Sequence, residues 1–130
     1  MQWFLLLIGL GIISLLYVIL AVRRRNTKIP FLVRSKLLER WEEAIEVPDV
    51  SRRVLEAEKV CDAVLKALGY QGTFAEKLQV AGPRLTHVEE LWSAHKLRNR
   101  IAHELNCRVS DTESRRAVQA FASLIHQFLA

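Results

Sequence analysis

The sequence predicts an all-α protein in which an N-terminal transmembrane helix is followed by an antiparallel up-and-down bundle of four to five helices. Three observations predict it. The run WFLLLIGLGIISLLYVILAV, residues 3–22, carries no charge. Downstream, apolar residues recur at helical spacing between capping and stop signals. No segment alternates apolar with polar residues as a half-buried strand would.

The apolar run comes first. Rising about 1.5 Å per residue, it matches a hydrocarbon core of about 30 Å. A cleaved signal peptide would need a basic stretch before the run and a small-x-small site after it, and neither is present. Arg23, Arg24 and Arg25 follow at once, so the positive-inside rule sets the N-terminus outside and the following domain in the cytoplasm, with Trp3 at the outer interface. Gly9 and Gly11 lack the four-residue spacing of a helix-dimer motif. The expected organisation is an anchor over 1–22, a basic juxtamembrane linker over 23–33, and a cytoplasmic bundle over 34–130 with its compact core in 50–130.

The next helix comes from FLVRSKLLERWEEAIEV, with Leu37 or Leu38, Trp41 and Ile45 in register and Pro48 as its stop. Its basic front and Trp41 suit a lipid surface, whereas Glu42, Glu43 and Glu46 favour packing on the domain. A helix over about Val50 to Leu68 carries Val54, Ala57, Cys61, Val64, Leu65 and Leu68 on one face and ends at Gly69, a good C′ residue. Thr73 with Glu76 predicts a capping box for a short helix that stops near Gly82-Pro83. Thr86 with Glu89 predicts another for a long helix from about His87 to Leu105, and Ser110 with Glu113 a third. The last helix should bury Val118, Phe121, Ile125 and Phe128. Short connections favour antiparallel neighbours.

The formal net charge of +5 is unevenly placed. Residues 23–40 hold seven Lys and Arg against Glu39 alone, while residues 41–130 hold twelve Lys and Arg against thirteen Asp and Glu. The basicity is juxtamembrane and predicts anionic lipid headgroups as partners of residues 23–40. The near-neutral remainder lacks the broad basic face of a strong nucleic-acid binder. Cys61 and Cys107 have no CxxC spacing, and Cys61 falls in a core stripe.

The segment Leu97 to Asn106, LRNRIAHELN, is unusual because Arg98 projects into the apolar sector formed by Leu91, Ala94, Ile101, Ala102 and Leu105. A charge there must be paired, sit at an interface or bind something, because a lone buried charge is prohibitively costly. A structural reading pairs Arg98 with Glu58 on the facing helix. His95, Asn99 and His103 form a polar strip beside the apolar face. His87, His95 and His103 are about 12 Å apart in succession along a helix, too far for two to share one metal ion. There is no glycine-rich phosphate loop, so no cofactor is expected.

Arg98-Asn99-Arg100-Ile101-Ala102-His103 resembles the R-N-x-x-x-H signature of the HEPN superfamily of small helical bundles. The neighbouring LWSAHK and VLEAEKVCDAVLK are similar to uncharacterised bacterial members of that type. The resemblance covers about residues 50–130 and implies a homodimer that brings two signatures into one cleft, where RNA is cut without metal. It implies His103 as general acid or base, Arg98 as the group holding the scissile phosphate, and Asn99 as the residue orienting either. The 2′-hydroxyl as nucleophile would restrict such an enzyme to RNA. Some members bind partners without cutting, which makes a non-catalytic protein-interaction module at the membrane the alternative.

Overall fold

The computed structural model describes residues 1–24 and 28–130, with the side chains of Val22, Arg23 and Arg24 also outside the description. Of the linker expected over 23–33, residues 25–27 therefore lie outside the described residues. Among the described residues there are six α-helices, one 3-10 turn and no strand. They are α1 Gln2–Arg24, α2 Phe31–Ile45, α3 Val50–Ala67, α4 Phe74–Ala81, α5 Val88–His103 and α6 Asp111–Leu129, with the 3-10 turn at Gly82–Arg84.

The α1 helix is long and apolar enough to cross a membrane, with a mean hydropathy of 2.8 over Gln2–Ala21 and none of that stretch buried against protein. The remaining helices share one core. Its central pair is α3 and α6, which run parallel: the Ser114 hydroxyl donates to the Val50 carbonyl at 2.8 Å, and the Cys61 thiol to the Phe121 carbonyl at 3.5 Å. Both α2 and α5 pack on this pair in the opposite direction. Arg34 Nε at the front of α2 reaches the Leu129 carbonyl at the end of α6, and Gln127 near the end of α6 donates to the Arg84 carbonyl ahead of α5. This is an up-and-down bundle in which short α4 rests against α3 and α5.

Local chemistry explains the boundaries. Asp49 caps α3 by accepting from the Arg52 amide, and Thr73 caps α4 by accepting from the Glu76 amide. Ser110 and Glu113 complete a reciprocal capping box on α6. Gly69, at φ +96°, takes the left-handed conformation that ends α3 without a Cβ penalty.

Four expectations need correction. The core is not confined to 50–130, because Leu37, Trp41 and Ala44 of α2 are buried in the same cluster. Trp41 is thus a core residue, not a lipid anchor. Thr86 does not cap α5; its amide and hydroxyl both face Gln127 Oε1, at 3.1 and 3.3 Å, and His87 takes the cap position without a side-chain bond. The helix also ends at His103, since Glu104 turns extended, so Leu105 leaves the apolar face and is 96% exposed. In α6, Phe121 and Ile125 are buried as expected, but Val118 and Phe128 are only partly so. Lying against both α3 and α5, α6 instead turns Ala117, Ala120, Leu124 and Leu129 inward.

Candidate functional site

The stripe of α3 that builds the core, Val54-Ala57-Cys61, leaves Glu58 at its edge, facing α5. Burying Leu91, Ala94 and Leu97 turns α5 so that His95, Arg98 and Asn99 meet that carboxylate. Glu58 is 6% exposed. Its Oε2 lies 2.9 Å from His95 Nδ1 and its Oε1 lies 3.2 Å from Arg98 Nε. Asn99 then links the other two: its Nδ2 is 3.2 Å from His95 Nε2, and its Oδ1 accepts from Arg98 Nη1 at 3.3 Å. The contacts agree when His95 carries its proton on Nδ1 and accepts on Nε2. Phe74, the first residue of α4, packs on the same imidazole with ring centroids 5.3 Å apart.

These groups border an open cleft of about 400 Å³ whose far wall is the start of α4, Gly72 to Ala75. The cleft carries both signs of charge. Asp62 on its wall is paired with the buried Lys77 ammonium at 2.7 Å. Burial pushes the Glu58 carboxyl above the ordinary carboxylate range, against the pull of the His95 hydrogen bond and of the neighbouring Arg98 charge. Cys61, fully buried beneath Glu58 and Asp62, has its thiol pushed well up, chiefly by desolvation.

Of the three expected site residues, Arg98 and Asn99 line this cleft and His103 does not. His103 closes α5 as an exposed side chain with no hydrogen bond or ion pair among the described residues. The expected Arg98–Glu58 pair is present. The site residue missed was His95, expected in the polar strip beside the apolar face and set aside as a metal ligand but not named as a partner of Glu58; its position four residues before Asn99 and three before Arg98 puts all three on neighbouring faces. Arg98 remains about one-third exposed.

The opposite flank of α5 has a different character. Ala94, Leu97, Ala117 and Ala120 floor a groove of about 650 Å³ between α5 and α6, rimmed by Arg100, Glu113 and Arg116. Comparison with known protein families, curated proteins and solved structures finds no match for the chain.

Proposed function

We propose that the chain is a single-pass membrane protein whose HEPN-like bundle, held at the cytoplasmic face, is a non-catalytic module for docking a protein partner. The length and hydropathy of α1 support the anchor, and the arginines after Val22 support the orientation. One observation carries the non-catalytic reading: Arg98 and Asn99, two of the three signature positions, are engaged by Glu58 and His95 inside the bundle. A positively charged approach for RNA is lacking there, since Glu58 and Asp62 share the cleft with Arg98 and Lys59. The apolar-floored groove between α5 and α6 suits a partner's helix or loop.

A second reading, a dimeric metal-independent endoribonuclease, has its own support in His103, exposed and without a partner among the described residues, and in the exposed part of Arg98. In it, the copies would pool two signatures, Arg98 would hold phosphate, and His103 would move the proton of the ribose 2′-hydroxyl. The deciding assay incubates the full chain, as a dimer in detergent, with single-stranded RNAs and a chelator. The docking-module reading expects no cut. Cleavage that leaves a 2′,3′-cyclic phosphate and disappears in His103→Ala would replace it with the nuclease. Orientation is tested by Lys28→Cys in intact cells, which should be shielded from an impermeant thiol reagent; ready labelling would reverse the topology.

A further inference from the structure

Downstream of α1, the exposed large apolar side chains among the described residues are Phe31, Leu32, Val33, Val80 and Leu105. Val80 and Leu105 stand alone, whereas the other three form the first turn of α2, with Phe31 79% and Leu32 74% exposed. Contiguous apolar surface of this kind asks for a cover. Lys28 precedes the turn and Lys36 lies one helical turn behind Leu32, both exposed.

Two constraints identify the cover. Seven residue steps separate Arg24 from Phe31, so the chain reaches at most about 25 Å from the end of α1, which keeps the turn near the headgroups if α1 spans. Charge is also graded from Lys28 along α2: Lys28, Arg34 and Lys36 stand at the front, Glu39 and Arg40 offset each other midway, and exposed Glu42, Glu43 and Glu46 stand at the rear. Lying flat on an anionic leaflet would press those carboxylates against it, and Trp41, the aromatic residue that could anchor such a pose, is buried. Only the front end of α2 suits the surface. No side chain caps that end, so its first amide groups are open to water or phosphate oxygens.

We propose that Phe31, Leu32 and Val33, rimmed by Lys28 and Lys36, form a lipid-docking wedge that seats the bundle end-on in an anionic headgroup layer. This rests on the single-pass reading. The Arg34–Leu129 bond places the end of α6 beside the wedge, and the Thr86–Gln127 contacts place the start of α5 there as well. His103, at the other end of α5, therefore points away from the membrane.

The test uses the full chain reconstituted in phosphatidylserine-containing vesicles. An environment-sensitive fluorophore is attached to Leu32→Cys, Arg52→Cys or Leu15→Cys in a Cys107→Ser background, where buried Cys61 stays unlabelled. At position 32 the emission should shift to the blue and be quenched by shallow nitroxide lipids, while position 52, at the far end, should show neither. Adding Lys28→Glu and Lys36→Glu should weaken both effects at position 32. Water-like emission at position 32 overturns the wedge, and so does a blue shift without lipid quenching, which would mean protein covers the turn. Quenching at position 15 by deep nitroxides checks the anchor separately: its absence sinks the spanning reading, whereas its presence with a silent position 32 sinks the wedge alone.

Discussion

Arg98 and Arg100 are two residues apart on α5 and face opposite flanks of the helix. Arg98 turns to α3 and meets Glu58, which is almost fully buried; Arg100 turns to α6 and meets Glu113 at 3.5 Å and Glu104 at 3.8 Å, with all three groups well exposed. The same pair of residue types thus has two different energetic roles. Where the carboxylate is buried, removing the arginine strands a charge that water reaches poorly. Where it is exposed, water replaces the partner at little cost. Burial of the carboxylate, not the identity of the arginine, separates the flanks.

The largest effect is therefore expected on the α3 side. Arg98→Ala should lower the unfolding free energy by about 3 kcal/mol, the lower part of the range for breaking a buried pair, because His95 still holds one oxygen of Glu58. Replacing both Glu58 and Arg98 by leucine should recover more than half of the loss, since no stranded charge remains. Urea denaturation of the three proteins checks this. A loss in the single variant no larger than that from Arg100→Ala would erase the distinction between the flanks.

The pH dependence sharpens the comparison. With its folded pKa raised by burial, Glu58 binds its proton more tightly in the folded state than in the unfolded chain. Its contribution to stability is full below the unfolded carboxylate pKa and is lost as pH rises through the raised value. Glu58→Gln should flatten that fall in stability between acid and neutral pH. Arg98→Ala should steepen it, because one attraction that opposes the raised pKa is gone. Stability curves measured across that window that run parallel in all three proteins would remove Glu58 as their source.

The two flanks were not equally legible in sequence. The stripe of α3 and the projection of Arg98 into the apolar sector of α5 made the Arg98–Glu58 pair predictable, because both follow from helical period alone. The spacing that puts His95 beside Arg98 and Asn99 was legible, but that His95 reaches the same carboxylate was not, since the contact depends on the rotation of α5 that burying Leu91, Ala94 and Leu97 imposes. The capping boxes show the same division. Ser110 with Glu113 forms as written because both partners are local, whereas Thr86 has a competing partner in Gln127, forty-one residues away in sequence, that no local rule reveals. Leu105 was misplaced because the stop at Glu104 has no glycine or proline to announce it.

A middle-sized effect is expected at the cap beside the exposed cluster. Ser110→Ala removes the hydroxyl that accepts from the Glu113 amide and should cost about 1 kcal/mol, the usual value of an N-cap. Thermal melts should place this variant between Arg98→Ala and wild type. A loss equal to that of Arg98→Ala would mean that the start of α6 does more than end a helix.

The smallest effect belongs to Arg100 itself. Arg100→Ala leaves Glu113 and Glu104 in water, so its melting temperature should be indistinguishable from wild type in moderate salt. The Glu113 carboxyl should keep its depressed pKa, because the first cause of the depression is the hydrogen bond from the Ser110 backbone amide, with Arg100 contributing less. The sign here is opposite to that of Glu58: the stabilisation from Glu113 is present above the unfolded carboxylate pKa and is lost as pH falls through the depressed folded value. Carboxyl titration followed by NMR should show the Glu113 midpoint nearly unmoved by Arg100→Ala, while Glu58 moves further upward in Arg98→Ala. If Glu113 instead returned to the ordinary carboxylate range on loss of Arg100, the ion pair rather than the cap would dominate that site, and the two flanks of α5 would differ in degree only.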